Sequence, residues 1–200
     1  MRHAAGTERE RGGTVIMDRL FIAIELPGNI RESLGSVQAV LNKSSARLTH
    51  VDPAIIHVTL KFIGDTPPEK TRAVAEALGK MRGAPFSVRV RGISGNNPRR
   101  PRVIWARVED GGKCGLLHAG VEDLLSPLGI QRDDRPFVPH ATVARVREFH
   151  PDLPGIIRPL SDRDFGGGVI DRIVLKKSTL TPRGPVYQDI TEVPLEEDSP

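Results

Sequence analysis

The 200-residue chain is 38% hydrophobic and 27% charged, which excludes a disordered polyelectrolyte and is typical of a globular protein. Its formal net charge of +4 favours a polyanionic partner without requiring one. The only cysteine, Cys114, excludes an internal disulfide and a multi-cysteine zinc site, so a reducing, cytoplasmic setting is expected.

The start of the chain differs in character from the rest. Residues 1–16 carry charges but lack the apolar core of a signal peptide, and we expect a disordered N-terminal extension there. No later apolar run approaches the ~20 residues that are needed to cross a bilayer. The remaining residues, 17–200, are therefore expected to contain the folded part of the protein.

Strand and helix patterns alternate twice along that part. In the first half, apolar β-rich runs predict strands at 19–26, 55–63 and 86–93, and helical spacing predicts helices at 30–41 and from Pro67 to Met81. In the second half, the same signals predict strands at 103–108, 137–146, 169–176 and 186–193, and a helix at 116–128. The order strand, helix, strand thus occurs in both halves.

The two halves are related by one constant offset. His57 and His140 are 83 residues apart, and a shift of 83 also pairs Phe21 with Ile104 and Leu34 with Leu117 without a gap. We interpret the pattern as an internal duplication. It predicts two similar α/β lobes whose second strands face one another.

Two tetrapeptides of one kind lie on those second strands, HVTL from His57 and HATV from His140. Residues i and i+2 of a strand point to the same face, so His57 lies beside Thr59 and His140 beside Thr142. Two such strands related by a pseudo-twofold would direct two imidazoles and two hydroxyls into one cleft.

This set of groups suits in-line displacement at phosphorus. One neutral imidazole can take a proton from water while one imidazolium protonates the departing oxygen, and hydroxyls can hold the non-bridging oxygens. A two-histidine metal site is the alternative, but neither strand carries the matching carboxylate or third histidine that such a site needs. We therefore expect no metal and no cofactor.

Four segments of the chain resemble the 2H phosphoesterases, and in particular the bacterial and archaeal RNA 2′,3′-cyclic phosphodiesterases first described as 2′-5′ RNA ligases. These segments read RLFIAIELP, HVTLKFIG, RPFVPHATVARV and IVLKKSTL. The resemblance covers residues 17–194. It implies a single α+β domain over 17–200 with a bilobal 2H phosphoesterase fold. Two pseudo-symmetric lobes would line a central cleft with antiparallel sheets and carry their helices outside.

The resemblance also implies roles for individual residues. It makes His57 the proton donor to the leaving O3′ and His140 the proton acceptor that activates water; the near-symmetric repeat by itself leaves these roles open. Thr59 and Thr142 would bind the phosphate. Arg145 stands where an arginine is common after the second motif, although simple alternation points it away from His140.

Several other side chains have two possible interpretations. Lys61 shares the parity of His57, so it either faces the cleft and attracts phosphate or is an exposed lysine at a strand end. The parity of Phe62 points to the core rather than to stacking on a base. Tyr187 and Trp105 are expected to pack within the fold. Loop arginines are candidates for RNA backbone contact: Arg99, Arg100, Arg102, Arg132 and Arg135.

The reaction expected from the resemblance is hydrolysis of a terminal RNA 2′,3′-cyclic phosphate to a 2′-phosphomonoester. The same site could instead form a 2′-5′ linkage by the reverse reaction, or act on small cyclic nucleotides. An RNA-binding module without catalysis is the alternative from another class. RNA with a cyclic phosphate end is the expected partner, no membrane association is expected, and a monomer is the default.

Overall fold

The computed structural model describes residues 17–182 and 184–196, so the expectation of disorder for residues 1–16 lies outside it. The strands are β1 (Asp18–Glu25), β2 (Arg47–His50), β3 (His57–Thr66), β4 (Phe86–Gly95), β5 (Val103–Glu109), β6 (His140–Glu148), β7 (Asp164–Ile170), β8 (Arg172–Thr181) and β9 (Gly184–Pro194). The α-helices are α1 (Gly28–Gly35), α2 (Val37–Leu41), α3 (Pro68–Leu78), α4 (Lys113–Leu125) and α5 (Leu153–Ile157).

The strands form one antiparallel sheet in the order β7-β4-β5-β6-β3-β1-β8-β9, with β2 paired to the far end of β6. The two halves of this order meet where β3 pairs with β6, through Val58 and Ala141. These two residues are also 83 apart, so the pseudo-twofold of the repeat passes through their pairing. The prediction that the two second strands face one another is confirmed.

The fourth strand of each half crosses to the other lobe. β4 follows the first repeat in sequence but pairs with β5, and β8 follows the second repeat but pairs with β1. The first lobe therefore consists of β9-β8-β1-β3 and the second lobe of β7-β4-β5-β6. The repeat predicted two lobes but not this exchange, because sequence periodicity carries no information about which edge a strand joins.

Helices cover the outer face of the sheet and leave its inner face, here called the cleft face, to the two motifs. Apolar residues at helical spacing form the buried faces of two helices. These residues are Ile30 and Leu34 in α1 and Val74 and Leu78 in α3. The longest helix, α4, packs the buried residues Cys114, Leu117, Val121 and Leu125 against the sheet. The α+β architecture is as predicted. Among the described residues, no helix is long and apolar enough to span a bilayer.

Candidate active site

The two motifs lie side by side at the junction of the lobes. Val58 and Ala141 pair across the antiparallel strands, and both side chains are buried. Alternation then sends the residues on either side of that pair to the cleft face. His57 and His140 are diagonal neighbours across the pair, which places their Cβ atoms roughly 7–8 Å apart. The fold thus brings the two predicted histidines into one cleft.

Both imidazoles are held by the same interaction, a hydrogen bond to a main-chain carbonyl. The Nδ1 of His57 is 2.8 Å from the carbonyl of Ile55, and the Nδ1 of His140 is 2.8 Å from the carbonyl of Val138. Because a carbonyl only accepts, Nδ1–H donates in each ring and Nε2 is left for the cleft. The Nε2 of His57 lies 3.1 Å from Oγ1 of Thr59, whose hydroxyl donates to it when the ring is neutral.

The surroundings of His57 favour its neutral form. Burial lowers the pKa of the His57 imidazole below its ordinary value, and the ammonium of Lys176 lowers it further. The hydrogen bond to the Ile55 carbonyl and the charge of Glu25 act in the opposite direction without overcoming the burial. Without a bound anion, His57 is therefore a base rather than an acid near neutral pH.

A β-bulge follows the first motif and reverses the alternation of side chains. The register between β1 and β3 slips by one residue at Leu60, so Leu60 and Lys61 are both buried. Phe62 then turns to the cleft side and is 66% exposed. The prediction that Lys61 faces the cleft and binds phosphate is wrong, as is the prediction that Phe62 enters the core, because simple parity ignores the bulge.

The second motif is followed by the same irregularity. The register between β5 and β6 slips at Val143, so Val143 and Ala144 are both buried. Arg145 is consequently exposed on the face of His140 rather than opposite to it. Its position relative to His140 equals that of Phe62 relative to His57, so the two bulges are related by the repeat.

Lys61 serves a structural network instead of the cleft. Its Nζ donates to Glu122 at 2.7 Å, to Asp133 at 2.8 Å and to the carbonyl of Gln131 at 2.8 Å. Burial lowers the pKa of Lys61, but the hydrogen bonds and charges of the two carboxylates raise it more, so the amine is an ammonium. His118, Glu122 and Asp133 bring potential metal-ligand atoms within 4.8 Å of one another. The ammonium already occupies the space between the two carboxylates.

Three aromatic rings lie against the two histidines, although Tyr187 and Trp105 among them were expected to pack within the fold. Tyr187 meets His57 edge-on at a centroid distance of 5.5 Å, and Phe21 lies 5.1 Å from the same ring. Trp105 lies 4.6 Å from His140. An isolated aromatic residue in a strand sequence does not reveal whether its side chain lies in the core or beside the histidines.

A second buried lysine lies on the His57 side of the cleft. The Nζ of Lys176 donates to Oε1 of Glu25 at 2.6 Å and also to Asp189. The three residues line a cavity of about 140 Å³ together with His57 and Tyr187. Lys176 could have been recognised from the sequence because it directly follows the apolar run IVL.

A single antiparallel sheet that presents two His-x-Thr strands across one cleft defines a phosphoesterase of the two-histidine class. The family model described as "LigT like Phosphoesterase" matches residues 24–105 and 111–187, which correspond to the two repeats. The chain belongs to this family. The resemblance seen in the sequence is thereby confirmed.

Individual relatives agree with the family model. The chain is 35% identical to the RNA 2′,3′-cyclic phosphodiesterase of Archaeoglobus fulgidus, over 86% of this chain and 97% of that protein. It is 33% identical to the protein of the same name from Methanothermobacter thermautotrophicus, over 86% and 96%. The crystal structure of TT0787 from Thermus thermophilus superposes with a TM-score of 0.72 at 32% identity, covering 90% of this chain and 100% of that one.

Proposed function

We propose that this protein hydrolyses the terminal 2′,3′-cyclic phosphate of RNA to a 2′-phosphomonoester. The observation that carries the proposal is the pair of imidazoles on one cleft, each donating through Nδ1 to a main-chain carbonyl, so that each offers Nε2 to a substrate. The names of relatives that are 33–35% identical over most of the chain support the same reaction.

The two imidazoles would divide the proton transfers. The Nε2 of His140 takes a proton from water as the water oxygen attacks phosphorus. The bond between phosphorus and O3′ breaks in line with that attack, and Nε2 of His57 gives its proton to O3′. The displacement leaves a 2′-phosphate and a free 3′-hydroxyl. One proton has passed from His57 to the product, and another has passed from water to His140.

His57 must be protonated to act as the donor, although burial lowers its pKa in the free protein. The cyclic phosphodiester carries one negative charge, and an anion bound between the rings favours an imidazolium. Substrate binding and protonation of His57 are therefore expected to be coupled. Because His57 acts in its protonated form, the enzyme–substrate complex should keep its activity to higher pH than the free enzyme does.

The phosphoryl oxygens would be held by three cleft residues. The hydroxyls of Thr59 and Thr142 can donate to the non-bridging oxygens, and the guanidinium of Arg145 can pair with them through two N–H groups. Burial raises the pKa of the Tyr187 phenol, and the positive charge of Arg145 lowers it. The Tyr187 ring lies against His57. This arginine is thus within electrostatic reach of the proposed reaction centre.

Two further features of the proposal concern where and how the protein works. Ligation to a 2′-5′ linkage is the same reaction in reverse, so it should need the same residues, and concentrated water favours hydrolysis. The single cysteine supports action in a reducing, cytoplasmic setting, and we expect a metal-independent monomer.

The proposal is tested with a short RNA that ends in a 2′,3′-cyclic phosphate, incubated in EDTA. The wild type should produce a 2′-phosphate, and His57→Ala and His140→Ala should each lose about 10²-fold or more of the rate. His150→Ala removes an exposed histidine outside the cleft and should retain full activity. Activity that survives both motif substitutions contradicts the mechanism. Salt-sensitive RNA binding without turnover would support the binding module instead.

A further inference from the structure

The two lobes present different charges on the cleft face, although the repeat makes their backbones alike. In the first lobe, the ammonium of Lys176 is hydrogen-bonded to Glu25 and Asp189, and Arg172 lies within 3.7 Å of a carboxylate oxygen of Glu25 and 3.2 Å of one of Glu192. Lys176 and Arg172 are thus each matched by at least one carboxylate. A third cation, Arg31, lines the same cavity as Lys176 and donates to the main-chain carbonyl of Ala54. Its charge acts on Glu25, so the first lobe has little net positive charge left for a second anion.

The second lobe carries a row of arginines that begins beside the catalytic pair. Arg107 of β5 is the cross-strand partner of His140, and Arg91 of β4 is the cross-strand partner of Arg107. Paired residues share a face, so the three side chains follow one another across the sheet. Neighbouring strands are about 4.8 Å apart, so the row extends roughly 10 Å from the reaction centre.

The two guanidinium groups are available to a ligand. Arg107 is 3.8 Å from Glu109, and both side chains are about half exposed, which makes this ion pair weak. Arg91 donates to the main-chain carbonyl of Asp162 at 3.3 Å, and its charge also acts on the carboxylate of Asp164. The next arginine, Arg89, differs because Asp164 receives two hydrogen bonds from it.

The backbone of β4 makes room for this row. Gly92 follows Arg91 with φ of +77°, at the point where the β4–β5 register slips. A Cβ at this position would lie 2.2 Å from the carbonyl oxygen of Ser161 and 3.0 Å from a terminal nitrogen of Arg107. The guanidinium of Arg107 therefore lies over a glycine that no larger residue could replace without displacing its neighbours.

The groove on the other side of the cleft is less suited to phosphate. A space of about 460 Å³ opens beside Phe62, and its lining includes Asp65, Asp133 and Asp134. Three cations also line the groove. Lys61 is held by two carboxylates, Arg132 is paired with Asp123 outside the groove, and Lys70 lies in the first turn of α3. Carboxylates along this groove would repel a nucleic acid backbone.

We propose that the RNA strand preceding the terminal nucleotide crosses the second lobe, with its first phosphates on Arg107 and Arg91. This inference rests on the proposed function and adds to it the path of the RNA strand, from which a preference for oligoribonucleotides over free cyclic mononucleotides follows. The arginines bind the chain and take no part in proton transfer. Preference for a longer substrate thus comes from one lobe only.

The test compares two substrates, adenosine 2′,3′-cyclic phosphate and a six-nucleotide RNA with a 2′,3′-cyclic phosphate end. The variant is Arg91→Gln/Arg107→Gln. The control, Arg72→Gln/Lys80→Gln, removes the same number of charges from exposed positions on and just after α3, on the outside of the sheet. The measured quantity is kcat/KM for the hexanucleotide divided by kcat/KM for the mononucleotide, at several salt concentrations.

The cleft variant should lower this ratio on the order of tenfold, and the control should leave it within about twofold. The slope of log kcat/KM against log salt for the hexanucleotide should become shallower by about 0.7 for each phosphate that is no longer neutralised, hence about 1.4 for both. Thermal unfolding of both variants checks that they fold.

Three results with the variants would overturn the path. Equal decreases on the two substrates would place the arginines at the reacting phosphate. A fall of the ratio in the control equal to that in the cleft variant would reduce the effect to bulk charge, and unchanged kcat/KM on both substrates would move the strand elsewhere. Failure of the wild type to hydrolyse either substrate would instead overturn the proposed function. Hydrolysis of both with a ratio near one would overturn only the path.

Discussion

At the scale of single residues, the site depends on hydrogen bonds that fix which nitrogen of each histidine faces the cleft. In both motifs Nδ1 is bound by the carbonyl two residues earlier in the chain. This contact needs no side chain, so it is compatible with Ile55 before one histidine and Val138 before the other. The tautomer of the reactive ring is therefore specified by the path of the backbone.

The depressed pKa of His57 predicts how stability depends on pH. Burial favours the neutral ring in the folded state, whereas the unfolded chain takes up a proton near its ordinary pKa of about 6.5. The free energy of unfolding should therefore fall as pH drops from about 7 through 6.5 toward the lower folded pKa, by at most about 1.4 kcal/mol per pH unit for this group.

Urea unfolding of wild type and His57→Gln, followed from just above neutral pH to about one unit below the ordinary histidine pKa, measures the effect. The variant should lose less stability over this range than the wild type, because its glutamine does not titrate. Parallel curves for wild type and His57→Gln would show that His57 titrates alike in the folded and unfolded chain.

At the scale of elements, the two bulges decide which residues enter the cleft. The motif strands alternate regularly from the histidine to the residue before the bulge, and there the sequence is sufficient to predict orientation. Beyond Leu60 and Val143 the alternation reverses, which exposes Phe62 and Arg145 and buries Lys61. A bulge is a property of the pairing between two strands, so the sequence of one strand does not reveal it.

The sequence around Lys61 likewise does not indicate that this side chain is buried. Its carboxylate partners Glu122 and Asp133 are 61 and 72 residues away in the chain. Only the packing of α4 and the segment before β6 against β3 brings these three groups together. The motif histidines could be predicted because the repeat marks them twice, whereas Lys61 has no counterpart, since Ala144 takes its place in the second half.

The Lys61 network predicts a stability effect. Lys61→Met should lower the free energy of unfolding by about 3–5 kcal/mol, because it leaves the carboxylate of Glu122 buried without a cation. Lys61→Met/Glu122→Leu removes both charges and should recover much of the loss. Chemical denaturation at neutral pH measures all three proteins. A double variant that is less stable than the single variant would contradict this account.

At the scale of the whole molecule, the exchange of β4 and β8 ties the two halves of the sequence together. The sequence repeat was enough to predict two similar lobes and the position of the cleft between them. It did not predict that β4 and β8 each join the sheet of the other half, because both strands have the same pattern wherever they pair. The number of domains is therefore better judged from the exchange of strands between the halves than from the sequence repeat.

The exchange predicts cooperative unfolding of the two halves of the sequence. Each lobe contains strands from both halves, so neither half can unfold without disrupting both lobes, and thermal unfolding should be a single transition in which calorimetric and van't Hoff enthalpies agree. A second check on the intact chain compares Trp105 fluorescence, which reports on the second lobe, with circular dichroism, which reports on the whole. Two separated transitions would show that the lobes unfold independently.

The pairing of β1 with β8 also has a consequence for how the chain comes into being. Arg19 is the partner of Ser178, so the strand made first lacks this neighbour until almost the whole protein has been synthesised. During translation the edge of β1 is open, and the fold cannot close progressively from its N-terminus. Such long sequence separation slows folding, so a nascent chain is expected to wait for its last strands before it acquires the His57 half of its catalytic cleft.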